Sequence, residues 1–557
     1  MVMGIDGGTL DLVVPWSQSG ELPNLKRLID EGVCGKLRST VIPSSASAWT
    51  SFMTGKNPGK HGIFSFFRLI PGTYKIGITS GKQRDGKTLW SILSDAGKKV
   101  GIINVPMTYP AESVNGFHLA GYPSPSYRDP YFSYPRGLGG EIQKVFGSYP
   151  AIPNTRGRLL KGDVDGAIEE LCSAFDLKEK IFYFLKGEYP SDFFCDVITE
   201  TDQAQHFFWH LMDTRHPRYD PILAKRHGNV ILSIYKKIDK FLGDILEGLG
   251  EEWTLILVSD HGACMNHMGN SLLQSWLINL GVLHVKKRPL HHFVRLSRKM
   301  LRMLQPVARD FLPHWVRDKV KKLTPNLALS TNEYMLGGTS FNEIAWDKTK
   351  AFWLWEQLWI NLEKRQPKGI VARGQGYEEV RDSLRTQLLQ ARDYKTGQRV
   401  IREVFKKEEV LKGKYLDEAP DLQIFWEEGS VISGMTARRE EELEDRVAFS
   451  REDDIRTGEH SPYGMVILWG RGVKKGHLLS NAEIVDLPPT ILHMMDQPIP
   501  SDMDGRVLVD AFEADFMKRP IRYEKAPHDG SDGCEETYDQ EEMKQIREQL
   551  KGLGYLG

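Results

Sequence analysis

The sequence predicts an α/β fold built on a mainly parallel central sheet with helices on both faces. Apolar runs of strand length recur at Val2–Ile5, Lys99–Val105, Asp192–Thr199, Trp253–Val258 and Met465–Trp469. Helical segments stand between them, the alternation expected of parallel strands joined by crossovers. The clearest is Ile231–Leu249, whose apolar residues at 231, 234, 235, 238, 241, 242, 245, 246 and 249 form one stripe at the helical period. Acidic and imidazole residues then gather just past strand ends, at Asp6, Asp202 and Asp260-His261. Sheets of this class bind ligands beyond the carboxyl ends of their strands.

Each element has its own local reason. Val2–Ile5 ends in Asp6-Gly7-Gly8, where a carboxylate suits ligand binding and serves equally well as a turn residue. Leu22–Glu31 reads as a helix with Pro23 in its first turn. Ser39–Phe64 then packs Ser44, Ser45 and Ser47 ahead of Trp49, Phe52 and Met53, and closes on Thr54-Gly55, Pro58-Gly59 and His61-Gly62. A serine on a tight turn before a helix presents its Oγ as a nucleophile. The same residues also describe a helix capped by Ser44 or Ser45 with a buried aromatic face.

Thr88–Ala96 is helical, and the strand after it runs into Pro106-Met107-Thr108-Tyr109-Pro110, a loop placed to line a pocket. Gly121–Gly162, rich in Pro, Tyr, Ser and Gly, reads as a long surface or lid segment. Asp163 caps a helix running to Leu185. Asp202 and His206 are four residues apart and share one face of a helical turn, a spacing that also fits a plain ion pair.

Lys286–Lys322 interrupts the pattern with twelve Lys/Arg against Asp310 and Asp318, interleaved with Phe293, Leu296, Met300, Phe311 and Trp315. Such a basic amphipathic stretch either caps the core with its charged face in water or lies on an anionic membrane. Beyond it, Ala351–Leu362 and Asp421–Trp426 read as strands, Tyr377–Ala391 as a helix and Glu403–Leu416 as a charged connector. Gly458-Glu459-His460 precedes the last strand, Asp486 opens a helix on Pro488-Pro489-Thr490, and a polar tail ends in a helix over Gln540–Leu550.

A chain of 557 residues exceeds one ordinary domain. The expected organisation is a core in two parts, 1–285 and 341–515, with a basic insertion at 286–340 and a tail at 516–557. The net charge of −1 gives no global case for nucleic-acid binding. Five cysteines without a C-x-x-C pair form no disulfide framework, and no signal peptide or spanning apolar run is visible. The expected location is cytoplasmic, with peripheral membrane contact through 286–322 and an oligomeric state the sequence leaves open.

Collected in order, the candidates are Asp6, Ser45, Asp202, His206, Asp260, His261 and His460. Mixed carboxylate and imidazole groups suit zinc or manganese. A hydroxyl between two such ions suits in-line attack on phosphorus. On these residues the chain resembles the type I phosphodiesterase/nucleotide pyrophosphatase family of the alkaline phosphatase superfamily. The matching stretches are Gly4-Ile5-Asp6-Gly7-Gly8, Ser45 through Thr54-Gly55 and Pro58 to His61-Gly62-Ile63, Asn104-Val105-Pro106, Asp202-x-x-x-His206, Ser259-Asp260-His261-Gly262, Gly458-Glu459-His460 and Asp486-x-x-Pro489-Thr490.

The resemblance implies an alkaline-phosphatase-like three-layer α/β/α sandwich with a helical insertion. It implies two divalent ions, zinc or manganese: one on Asp6, Asp260 and His261 that also touches Ser45, the other on Asp202, His206 and His460. Ser45 takes the place of the family's nucleophile, with Ser44 and Ser47 as register alternatives. The implied reaction is hydrolysis of phosphodiester or pyrophosphate bonds in a small phosphate ester or nucleotide through a phosphoseryl intermediate. Phosphomonoester or phosphonate hydrolysis and a non-catalytic membrane-associated binding protein are the alternatives. A sulfatase is disfavoured by the lack of a C-x-[PA]-x-R motif, and a phosphoglycerate mutase by the lack of its large insertion. One departure concerns the oxyanion partner. Many members carry an asparagine about a dozen residues after Thr54, where this chain has Phe66. Lys82, Arg84 and the backbone N–H groups of Ser45–Ala46 are the substitutes, and Thr108 and Tyr109 are further candidates for substrate contact.

Overall fold

The structure, a computed structural model, describes residues 1–149, 152–286, 335–336, 339–354, 357–429, 431–437, 446–449, 455–526 and 538–555. Nine strands form the central sheet: β1 (Val2–Ile5), β2 (Val33–Arg38), β3 (Val100–Ile103), β4 (Gly116–Leu119), β5 (Ser133–Tyr134), β6 (Phe193–Ile198), β7 (Thr254–Val258), β8 (Tyr463–Gly470) and β9 (His477–Glu483). Their order is β9-β2-β8-β7-β1-β6-β3-β4-β5. The middle run from β7 to β4 is parallel throughout, while β8 lies antiparallel between β7 and β2. Every residue of β1, β3 and β6 is buried, as a strand covered on both faces requires.

Two sets of helices flank this sheet. Pro23–Glu31, Val164–Glu188, Glu200–Met212 and Val230–Glu247 pack on one another, and so do Ser45–Thr54, Leu89–Asp95 and Leu487–Met494. The expected α/β architecture, a mainly parallel central sheet with packed helices, is therefore present. Asp163 caps its helix by accepting the Gly166 N–H at 3.0 Å, as its position predicted.

Three local expectations are corrected. Gly121–Gly162 is no mere surface lid, because it carries β5 and the helices Leu138–Phe146 and Thr155–Leu159 and buries Phe132, Leu138, Ile142 and Tyr149. Ala351–Leu362 is not one strand but a hairpin of Ala351–Leu354 and Gln357–Ile360. Glu403–Leu416 is not a bare connector, since Ile401–Lys406 pairs antiparallel with Leu422–Trp426. These strands form a separate four-stranded antiparallel sheet outside the central one. Gln357–Ile360 in its interior is wholly buried, while the edge strand Ile401–Lys406 is partly exposed.

The basic stretch Lys286–Lys322 lies, beyond Lys286, outside the described residues, as does Cys534. The other four cysteines are free. Among the described residues no helix is long and apolar enough to cross a membrane.

Candidate active site

The parallel run delivers its chemistry to one edge. Asp6 follows β1 directly, Asp260 and His261 lie just past β7, and Asp202 and His206 sit on the helix Glu200–Met212 that opens after β6. His460 reaches the same edge by another route. Because β8 is antiparallel to β7, its entry end lies at the carboxyl end of the parallel strands. The residues before it, Gly458–Ser461, pair with Gly262–Met265 in a two-stranded ribbon that sets Ala263 opposite His460. Gly458 is needed there, because a Cβ would stand 2.2 Å from the carbonyl oxygen of Gln205.

Ser45 is the first residue of the helix Ser45–Thr54, and Ser44 caps it with no side-chain bond. Of the three serines weighed from sequence, Ser45 is the one whose Oγ meets the acidic edge. It lies 3.4 Å from Asp6 Oδ1, 3.2 Å from His261 Nε2 and 3.1 Å from the hydroxyl of Tyr555. Asp6 is aimed by its other oxygen, which accepts from Trp49 Nε1 and from the Tyr122 hydroxyl, both at 3.3 Å. The Gly7 N–H donates to Asp260 Oδ1 at 3.3 Å. Asp260 Oδ2 is buried and has no hydrogen-bond donor.

The imidazoles share one arrangement. His206 Nδ1 lies 2.9 Å from the Gly458 carbonyl oxygen, His261 Nδ1 2.9 Å from that of Gly262, and His460 Nδ1 2.6 Å from that of Pro43. A carbonyl oxygen only accepts, so each Nδ1 carries a hydrogen and each ring turns its Nε2, the nitrogen that can ligate a metal, inward. His206 Nε2 and His460 Nε2 then face each other at 3.0 Å, with Asp202 Oδ1 3.3 and 3.6 Å from them. The His261 and His460 rings stack at 3.6 Å. Burial, and after it the neighbouring His261 and His206, hold His460 well below the usual imidazole range, so it is neutral.

Lone pair against lone pair around a carboxylate is repulsive unless a cation lies between them. Burial, followed by Asp260 and Asp202, pushes the Asp6 carboxyl well above its ordinary range. Burial first and Asp202 second push Asp260 up to about 7. Such upward shifts mark carboxylates that lack compensating positive charge. Asp6, Asp260 and His261 offer ligand atoms within 4.8 Å of one another, as do Asp202, His261 and His460, and also His206, Glu459 and His460. The donor set, oxygen and imidazole nitrogen without thiolate, fits zinc or manganese.

A family model of type I phosphodiesterase / nucleotide pyrophosphatase matches residues 1–449. The chain belongs to this family. It is thereby a phosphoesterase-type hydrolase of the alkaline phosphatase superfamily, in a family that is metal-dependent. No curated protein matches the sequence. Similar solved structures include human ectonucleotide pyrophosphatase / phosphodiesterase 5, at 12% identity over 92% of this chain and 99% of that one, TM-score 0.46. Phosphonoacetate hydrolase from Sinorhizobium meliloti 1021, in complex with phosphonoacetate, is similar at 14% identity over 87% of this chain and 93% of that one, TM-score 0.46.

All seven residues read from sequence meet at this edge, whereas the four substrate-contact candidates have other neighbours. Arg84 is paired with Glu112, which also accepts from Thr88 and from Trp90. Thr108 donates to the Val105 carbonyl at 2.6 Å and accepts the Gly121 N–H at 2.9 Å, so its hydroxyl fixes a loop. Tyr109 stacks on Tyr538 at 6.1 Å. Lys82 is exposed on the 3-10 turn Gly81–Gln83. Asp486, from the last matching stretch, accepts the Glu483 and Arg506 N–H groups and is scaffold.

Sequence reasoning missed Trp49 and Tyr122 as partners of Asp6, and it missed Tyr555. Trp49 was legible only as a buried helix residue. For Tyr555 the one local signal was an aromatic ring in a Gly-rich run just after a helix.

Proposed function

We propose that the protein is a two-metal phosphohydrolase that cleaves phosphodiester or pyrophosphate bonds through a phosphoseryl intermediate on Ser45. The observation that carries this reading is the pair of inward Nε2 lone pairs of His206 and His460, 3.0 Å apart beside Asp202, next to a serine within 3.4 Å of Asp6. One ion would be held by Asp6, Asp260 and His261 together with Ser45, the second by Asp202, His206 and His460. Bound there, two divalent ions supply Lewis-acid stabilisation of a serine alkoxide and of the leaving oxygen.

The chain's own residues do the rest. Trp49 and Tyr122 fix one oxygen of Asp6 and so aim the other at Ser45. His261 has its Nδ1 against the Gly262 carbonyl, which leaves Nε2, 3.2 Å from Ser45 Oγ, as the ring atom that would hold the first ion beside the nucleophile. The helix Ser45–Thr54 holds the nucleophile in its first turn, where uncapped backbone N–H groups favour a phosphoryl oxygen. Ser45 Oγ attacks phosphorus in line as the bond to the leaving oxygen breaks, its proton passing to that oxygen or to solvent; it carries the phosphoryl group until water attacks phosphorus and the Oγ–P bond breaks.

The test combines metal analysis with hydrolysis of bis-p-nitrophenyl phosphate and a panel of nucleotides, phosphomonoesters and phosphonates, with zinc or manganese present. Ser45→Ala is expected to lose turnover and phosphoserine labelling while keeping its metal content. A protein that binds no divalent ion, or a Ser45→Ala variant as active as wild type, would remove the proposal. A panel hydrolysed only at phosphonates or monoesters would move the substrate class and keep the mechanism.

A further inference from the structure

Among the described side chains around Ser45, acceptors outnumber donors. Asp6, Asp202 and Asp260 accept, and the three imidazoles turn lone pairs inward. Trp49 Nε1 and the Tyr122 hydroxyl already donate to Asp6. An anionic phosphoryl group needs the opposite, donors aimed at its oxygens. Phe66, which is fully buried beside the pocket, cannot supply one.

Tyr555 stands against that gap. The helix Gln540–Gly552 starts on Asp539, which accepts the Glu541 and Glu542 N–H groups, both at 2.8 Å. It docks by Ile546, Leu550 and the following Leu553, all buried in the core. Gln549 accepts the Ser124 N–H at 3.1 Å. The chain then turns at Gly554, in the left-handed region at φ +91°, and the Tyr555 N–H bonds back to the Leu550 carbonyl at 2.9 Å. The phenol ring packs edge-on against Phe66 at 4.7 Å and against His460 at 6.2 Å. Its hydroxyl ends 3.1 Å from Ser45 Oγ. A side chain held on three sides and brought 510 positions along the chain to the nucleophile is a built part of the pocket.

We infer that Tyr555 is a catalytic residue whose hydroxyl donates a hydrogen bond to a non-bridging phosphoryl oxygen as Ser45 attacks, an inference that rests on the phosphohydrolase reading above. A donor within hydrogen-bond reach of Oγ is also within reach of the oxygens on the phosphorus that Oγ attacks. The proton stays on the phenol throughout, and no bond to Tyr555 is made or broken. Phe66 and Tyr555 thus act as a pair, in which the phenylalanine positions the ring and the tyrosine donates.

The experiment compares wild type, Tyr555→Phe and a chain ending at Gly554, all in the metal-loaded full-length form otherwise. Loss of a single oxyanion donor lowers kcat by about 10²–10³, and that fall is expected in both variants with KM little changed. Inhibition by orthovanadate is expected to weaken at least about tenfold, as a donor to a phosphoryl-like oxygen requires. Metal content per chain and thermal midpoint are expected to stay at wild-type values in Tyr555→Phe. Variants with kcat within about twofold of wild type would overturn the inference. So would a rise in kcat, which would mark the phenol as a plug over Ser45. A wild type with neither metal nor turnover would instead sink the phosphohydrolase reading itself.

Discussion

Asp260→Asn is expected to stabilise the metal-free protein while weakening its response to metal. Asp260 and Asp6 are fully buried and offer ligand oxygens within 4.8 Å of each other. Burial first and the charge of Asp202 second raise the Asp260 carboxyl from 3.8 to about 7, so ionising it in the folded chain costs on the order of 3–4 kcal/mol. Asparagine keeps the shape and removes one charge. The sign of the pH effect follows from the raised carboxyl. Between pH 3.8 and about 7 the folded chain holds a proton on Asp260 that the unfolded chain has released, so stability falls as pH rises through that window. At pH 8 without metal, the variant should therefore exceed wild type by about 3 kcal/mol, shrinking toward zero near pH 4. For a chain of 557 residues this corresponds to about 2–3 °C in Tm. The assay is urea and thermal unfolding of EDTA-stripped protein across that pH range, repeated in excess zinc. Zinc should raise the wild-type midpoint more than that of the variant, in which only the Asp202, His206 and His460 site is intact. A variant less stable than wild type at pH 8 without metal, or one that gains as much from zinc, would refute the reasoning.

Other predictions read different parts of the molecule. His206→Ala should lower metal content by one ion per chain, measured by elemental analysis; retention of both ions would remove His206 from the ligand set. Arg84→Ala should cost about 3 kcal/mol in urea unfolding by stranding the half-buried Glu112. Its KM should stay at the wild-type value, and a raised KM at unchanged stability would return Arg84 to the substrate. His61 is fully buried, accepts the Ile63 N–H and faces Ser51 Oγ, and burial pushes it down to about 3. Below about pH 6.5 the unfolded chain gains a proton that the folded one refuses, so this group removes about 1.4 kcal/mol of stability per pH unit as pH falls toward 3. His61→Asn should flatten the slope of stability against pH by one proton; an identical slope would show that His61 is not held neutral.

The parts of the site legible in the sequence are those whose placement is local. Asp6 follows an apolar run of four residues, Asp260-His261 follows one of five, and Asp202 and His206 are four apart on one helix. A strand of known direction and a helix of known period place these groups without knowledge of the rest of the chain. The two strands paired within 351–360 were not separable from one, because the sequence between them carries no Gly, Pro or Asn signal. Glu403–Leu416 reads as a connector because a half-exposed strand with charged neighbours has little apolar signal of its own.

His460 marks the division. Its motif is local, but its position depends on a strand inserted antiparallel between β2 and β7, a choice made by pairing rather than by residue pattern. Arg84 looked available for substrate until folding gave it Glu112, which no spacing rule connects to it. Tyr555 is the extreme case, a ring without charge in a polar tail. The sequence by itself determined the α/β alternation, the strand ends and the inventory of oxygen and imidazole groups, because each depends on chain direction and short-range period. Only the tertiary structure decided which lone pairs face one another, which cations are already paired, and which distant hydroxyl meets Ser45. Those depend on packing between segments far apart in the chain, where burial and hydrogen-bond satisfaction select partners that local pattern cannot name.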